Sequence, residues 1–179
     1  MPAHTDRIFL GSDTADPVQK TNKDALDWTE YDHEEATFRR KRLADAVGAD
    51  DIGCSLYELA PGNRSWPYHY HTANEEGIYV LAGEGTLRAA DGEHPLQPGD
   101  YVTLPADESG GHRVVNDTED PLRYLAVSTM AEPDVTIYPE MDKVGVFVGA
   151  PPGGRSGRDF HAYFAEDDEV AYWEEHSVD

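Results

Sequence analysis

In the stretch "HYHTANEEGIYVLAG", His69 and His71 stand two residues apart and are followed closely by Glu75 and Glu76. Residues two apart on a strand face the same side, so both imidazoles can aim at one point from about 7 Å of backbone. After the polar turn from Thr72 to Asn74 the chain re-enters a strand at the glutamates, which returns a carboxylate towards that point. Neighbours on a strand face opposite sides, so only one of Glu75 and Glu76 can join. A further imidazole is available from His112, the first residue of "HRVVN". Three imidazoles and a carboxylate leave one or two positions open on a six-coordinate ion, which is what binding substrate or oxygen at a metal requires. The donor set suits a divalent Mn, Fe, Ni or Zn, and ligand type does not choose among them.

Such a site needs strands to hold it. From Ile52 onward the sequence alternates short apolar runs with turn residues: "IGCSLYEL", "SWPYHYH", "EGIYVLAG", "EGTLRAA", "EHPLQ", "DYVTLP", "HRVVN", "LRYLAVSTM", "VTIYP" and "KVGVFVG". This is the pattern of an all-β sandwich or barrel. Asp91-Gly92 marks a hairpin turn, and Pro61-Gly62, Pro98-Gly99, Gly110-Gly111 and Asp120-Pro121 break the other runs. The organisation expected is an N-terminal arm over 1–50, a barrel over 51–148 and a C-terminal loop and tail over 149–179. The arm reads as an extension, a helix or an edge strand. The tail carries Phe160, Tyr163, Phe164, Tyr172 and Trp173, which would pack on the barrel or on a partner subunit. Alternation turns Tyr70 away from the ligand side and Arg113 outward beside His112. Arg64, Arg88 and Arg123 are available to contact a carboxylate or phosphate.

Composition narrows the partners. The chain holds 36 Asp plus Glu against 14 Lys plus Arg, a formal net charge of −22. A surface of that sign repels nucleic acid and anionic membranes, and no segment reads as a membrane span or an export signal. A small-molecule ligand and a cytoplasmic location are the expectations. The single cysteine, Cys54, lies in a strand-like run as a small core residue and cannot form an intramolecular disulfide.

The segment "GNRSWPYHYHTANEEGIYVLAG" resembles the first motif of the cupin superfamily, with His69, His71, Glu76 and Gly83 in the matching positions and six residues between Glu76 and Gly83. The resemblance selects Glu76 over Glu75. "GDYVTLPADESGGHRVVN" is similar to the second motif through Gly99, Pro105, His112 and Asn116. It departs from the family in that Asp107 stands where a glycine is usual and His112 arrives two residues late. The resemblance implies a double-stranded β-helix, or jelly roll, with N- and C-terminal arms and a divalent metal held by His69, His71, Glu76 and His112. It also implies a homodimer as the common assembly.

Cupins serve as isomerases, decarboxylases, dioxygenases and binding proteins, so the fold leaves the reaction open. The expected function is binding or conversion of a small oxygen-rich metabolite, a sugar derivative or carboxylic acid, with the metal as Lewis acid or oxygen activator. The alternative is a non-catalytic ligand-binding or structural dimer, and no catalytic residue beyond the ligands is singled out. The acidic balance, with lysines only at 20, 23, 41 and 143, also reads as adaptation to salt. High ionic strength would screen the self-repulsion of such a chain. The thermal midpoint is therefore expected to rise between dilute buffer and molar KCl; a flat midpoint across the series would remove the halophilic reading.

Overall fold

A computed structural model describes residues 18–34, 36–153, 157–168, 170 and 173. Among them regular structure consists of strands and short 3-10 turns, with no α-helix, in accord with the all-β expectation. No helix of the described residues is long and apolar enough to cross a membrane. In chain order the strands are β1 (Thr29–His33), β2 (Ala36–Arg42), β3 (Ile52–Leu59), β4 (Tyr70–His71), β5 (Glu76–Ala82), β6 (Gly85–Ala89), β7 (Gly92–Leu96), β8 (Tyr101–Leu104), β9 (His112–Val115), β10 (Leu122–Thr129), β11 (Asp134–Tyr138), β12 (Lys143–Val148) and β13 (Phe160–Ala165).

One layer is a six-stranded sheet in the order β1-β2-β3-β10-β5-β8. The other is assembled from two smaller sheets, β13-β12-β11-β4 and β7-β6-β9. A single antiparallel bridge between His69 and His112 joins these two sheets. The His69 amide donates to the His112 carbonyl at 3.2 Å, and the His112 amide to the His69 carbonyl at 2.9 Å. The core forms where Tyr57, Leu59, Ile78, Val80, Leu122 and Tyr124 of the large sheet meet Leu87, Leu96 and Val114 of the three-stranded one. Removing that apolar surface from water supplies the main driving force of folding.

The hairpin expected near Asp91-Gly92 joins β6 to β7, with Ala89 opposite Gly92, so the connecting residues are Ala90 and Asp91. Gly92 takes the first strand position at φ +135°, a conformation that favours glycine.

The segment expected as an N-terminal arm is built into the large sheet. Its β1 and β2 pair with each other, and β2 pairs with β3. Ala36, Phe38 and Arg40 turn inward and are all buried, while Arg39 faces the other side of the sheet. The inward face thus contains a guanidinium, which hid the apolar alternation that marks the later strands. The first part of the C-terminal tail is likewise a strand, β13, paired along its length with β12. Tyr163 packs on Phe147 with ring centres 5.8 Å apart, whereas Phe160 and Phe164 stay exposed. Tyr172 lies outside the described residues.

On the outer face of the large sheet, Glu58 of β3 stands opposite Arg39 of β2 and Arg123 of β10. Arg39 Nε donates to Glu58 Oε1 at 2.7 Å, and Arg123 Nε donates to Oε2, so one carboxylate ties three strands. Burial disfavours the charge of Glu58, but the hydrogen bonds from Arg123 and Arg39 outweigh it and hold the carboxyl below its ordinary value of 4.5. A depressed carboxyl stabilises the fold above its unfolded pKa, and the contribution disappears as pH falls through the lower folded value. Glu58→Gln should therefore cost about 1–2 kcal/mol at neutral pH, with the arginines' exposure discounting the larger value of a buried pair. Chemical denaturation at pH 7 and pH 3 checks this: the gap between wild type and variant should narrow in acid, and a gap independent of pH would refute it.

Candidate metal centre

The four residues singled out in the sequence are brought together. His71 ends β4, Glu76 opens β5, His112 opens β9, and His69 lies across from His112 in the bridge that joins the two smaller sheets. His69, His71 and Glu76 each present a ligand atom within 4.8 Å of the others. Glu76 Oε2 is 3.6 Å from His71 Nε2 and 3.5 Å from His112 Nε2. The His69 ring centre is 5.3 Å from that of His71 and 4.8 Å from that of His112. Glu75 faces away, accepting a hydrogen bond from Thr103 Oγ1 at 2.9 Å. Strand alternation decides between the two glutamates in favour of Glu76.

The other nitrogen of each ring fixes its orientation. His69 Nδ1 lies 2.8 Å from the Pro67 carbonyl, and His112 Nδ1 lies 3.0 Å from the Gly110 carbonyl. A carbonyl oxygen only accepts, so each Nδ1 carries the proton and the neutral ring keeps its Nε2 lone pair free to coordinate. His71 Nδ1 faces the carboxylate of Asp134 at 2.6 Å. Asp134 is fully buried and also accepts the Ala73 amide at 3.2 Å, so its position is determined from two sides. This is the arrangement in which an outer hydrogen bond sets the tautomer and basicity of a metal-binding histidine.

Burial, with the charges of His112 and His71 adding to it, pushes His69 well below the ordinary histidine value. Burial likewise lowers His112, against the opposing pull of Glu76. Both are neutral near pH 7, as coordination requires. For His71 burial opposes the charged form, yet the Asp134 hydrogen bond and the Glu76 charge prevail and raise it. The donor set of three imidazoles and one carboxylate, with every outer nitrogen satisfied, fits a divalent transition metal.

The late arrival of His112 is absorbed locally. The extra residues form a 3-10 turn over Glu108–Gly110, capped by Asp107, whose Oδ1 accepts the Ser109 amide at 2.8 Å. At Gly110 a side chain would collide with the Pro105 carbonyl, so only glycine lets the turn pack this closely. The aspartate in the family's glycine position thus becomes a helix cap, and β9 still begins at His112.

These groups line a cavity of about 300 Å³, at the lower end of the range for small-molecule sites. Of the aromatics on or near the strands that carry the site, Tyr57 and Trp66 line it; Tyr79 is exposed, and Tyr68 instead lies under the Arg88 guanidinium at 5.1 Å. Arg113 departs from expectation. It points away from the cavity, but it is buried rather than solvent-facing. Alternation gives its side of the sheet and does not reveal that other residues cover that side.

Several cavity residues were not legible in the sequence. Tyr31, Arg40 and Arg42 come from the N-terminal hairpin, Tyr138 from β11, Arg158 from the C-terminal loop and Tyr163 from β13. Tyr138 stacks on His69 at 5.8 Å, and burial, with Tyr163 beside it, holds its phenol well above the ordinary value. Asp134 was hidden by its own strand: the alternation of "DVTIY" marks Val135 and Ile137 as the inward side chains, whereas Asp134 and Thr136 are the fully buried ones.

The family model for the type-2 cupin domain matches residues 55–128. A candidate sugar phosphate isomerase from Acidithiobacillus ferrooxidans is 31% identical, over 78% of this chain and 83% of that one, with a TM-score of 0.65. A sugar phosphate isomerase of the cupin superfamily from Silicibacter pomeroyi is 28% identical, over 85% of this chain and 96% of that one, with a TM-score of 0.68. A predicted oxalate decarboxylase from Thermotoga maritima, 20% identical over 63% of this chain and 98% of that one with a TM-score of 0.52, shares the fold alone. No curated protein has detectable sequence similarity to the chain. Two motifs in order, a jelly roll and these relatives place the chain in the cupin superfamily, as a type-2 conserved-barrel protein.

Proposed function

We propose that the chain is a metal-dependent enzyme that isomerises a small sugar derivative, with His69, His71, Glu76 and His112 as the ligands of a divalent transition metal. The observation that carries this reading is the set of outer hydrogen bonds, from the ring Nδ1 atoms to Pro67 O, Asp134 and Gly110 O, that leaves the Nε2 side of three histidines and Glu76 lining one cavity. Purely structural histidines have no need of a common focus beside an accessible cavity. The names of two relatives that share most of their length with this chain, both sugar phosphate isomerases or candidates for that activity, support the choice of isomerisation over decarboxylation or oxygen chemistry.

A divalent ion bound here supplies Lewis-acid polarisation of a substrate carbonyl, which acidifies the neighbouring C–H. The protein's own groups do the remainder. Among the described residues Glu76 is the one carboxylate lining the cavity, and as a ligand it would balance part of the ion's charge. Tyr138 and Tyr124 stay protonated because burial raises both, so they act as hydrogen-bond donors that orient substrate hydroxyls and not as bases. The apolar wall of Ile78, Val114, Ala126 and Phe147 limits water at the site.

Elemental analysis of untagged protein purified without chelator should find near-stoichiometric transition metal, and a His69→Ala, His71→Ala double variant should lose it. Incubation with a panel of aldoses, ketoses and their phosphates, followed by NMR, should show interconversion in the wild type only. Saturable sugar binding without turnover would transfer the protein to the non-catalytic class, and absence of metal after reconstitution would end the proposal. Because Asp134 orients His71 without touching the ion, Asp134→Asn should weaken metal affinity by about 10- to 100-fold while leaving the chain folded. Competition with a chromogenic chelator measures this, and unchanged affinity would show that the outer hydrogen bond is dispensable.

A further inference from the structure

Arg40 is a buried cation with no carboxylate partner among the described residues. It is 4% exposed and lines the cavity. Its Nη1 donates to the Tyr57 hydroxyl at 3.2 Å and its Nη2 to the Tyr31 hydroxyl at 2.7 Å, while Nε has no hydrogen-bond partner. Arg39, Arg42, Arg88 and Arg123 each reach a carboxylate. Among the described residues none pairs with Arg40, in a chain with 36 acidic residues. A charge removed from water without a counter-charge is expensive, and structural arginines avoid that state.

A second cation converges on the same space from an unrelated part of the chain. Arg158 lines the cavity, packs over Phe147 at 5.1 Å and is held by the Ala150 carbonyl at 2.8 Å. Among the described residues it too has no carboxylate partner. Arg42 lines the cavity as well, 3.7 Å from Asp45. The like charges of Arg42 and Arg40 are felt at Arg158, a repulsion that a bound anion would relieve.

The hydroxyls complete the pattern. Tyr57 Oη accepts from Arg40 and, at 3.1 Å, from Trp66 Nε1; Tyr31 Oη accepts from Arg40. Each phenol therefore has its own proton left to donate. These side chains line the same cavity as the histidines and bring guanidinium and hydroxyl donors to it, and among the described residues Glu76 is the one carboxylate in that lining.

We propose that Arg40, Arg158 and the Tyr31 and Tyr57 hydroxyls form an oxyanion subsite that binds the phosphoryl group of the substrate, and this rests on reading the histidine cluster as the site where the substrate's other end reacts. Donors that arrive from β1, β2, β3 and the C-terminal loop surround a tetrahedral group better than a planar carboxylate, for which one bidentate arginine suffices. The subsite selects phosphorylated over free sugars and orients the carbonyl end towards Glu76.

Calorimetric titration of inorganic phosphate, and separately of acetate, into the full-length chain tests it. Phosphate should bind the wild type and the His69→Ala, His71→Ala variant alike, which separates this subsite from anion binding at a metal and from the fate of the metal reading. Affinity should fall about tenfold or more in Arg158→Gln and in Arg40→Gln, with the thermal midpoint and circular dichroism reporting whether each is folded. Arg158 sits in a loop, so its variant decides the matter should Arg40→Gln fail to fold. Phosphate binding unchanged in a folded arginine variant, binding lost only in the histidine variant, or no binding to the wild type would each overturn the subsite. Acetate binding more tightly than phosphate would overturn its assignment to a phosphoryl group.

Discussion

The two hydrogen bonds between His69 and His112 are the constraint on which the architecture turns. They join the four-stranded and three-stranded sheets into one layer, and they belong to two residues that point their side chains at the same place. Strand pairing and the placement of ring nitrogens are thus one event. An antiparallel pair holds opposite residues about 5 Å apart, so the two imidazoles are delivered side by side without any demand on their side-chain rotamers. What remains is to rotate each ring, and the Pro67 and Gly110 carbonyls, each two residues before its histidine, accomplish that. Both acceptors are local to the turn leading into the bridge, so the same backbone path that forms the bridge also chooses the tautomer.

His71 is controlled differently. Its acceptor, Asp134, comes from β11, 63 residues along the chain, and reaches the ring because β4 pairs with β11. The cost of burying Asp134 is offset by His71, the Ala73 amide and the hydroxyl of Thr136, whose Oγ1 is 3.3 Å from Asp134 Oδ2. A fully buried carboxylate with three partners is a rigid support, and its rigidity passes to the imidazole it holds.

The parts of the molecule legible in the sequence are those in which a strand's inward face is apolar. β3 was read to the residue as "IGCSLYEL", and β5, β6, β9, β10 and β12 followed for the same reason, while β11 was found as a strand although its fully buried side chains, Asp134 and Thr136, are polar. The histidine and glutamate set was legible because spacing on a strand is a geometric statement. The N-terminal hairpin was not, because "TFRRKR" places Arg40 where the pattern asks for an apolar side chain, and pattern reading scores a charge there as surface. The cavity's cationic lining was hidden for the same reason: its members come from β2, β3 and the C-terminal loop, and only the fold brings them into one space. Polar residues on inward faces are where local rules give way to function, so the failures of the reading fall on the cavity.

The chain's charge makes the two kinds of group that line the cavity depend on each other. A surface bearing a net −22 repels small anions at long range, and the repulsion weakens as the Debye length shortens with salt. An anionic metabolite is admitted only if the local field inside the cavity has the opposite sign, and low-dielectric walls concentrate the field of the few charges that line them. Arg40 and Arg158 would provide that sign, and it matters that among the described residues no carboxylate pairs with Arg40, since such a pair would cancel the field. In the same lining Glu76 would give a bound dication its charge compensation. On the proposed assignment, a substrate with an oxyanion and a polarisable carbonyl would meet the arginines with one and the histidine and glutamate cluster with the other, which favours a single orientation before any shape complementarity is invoked.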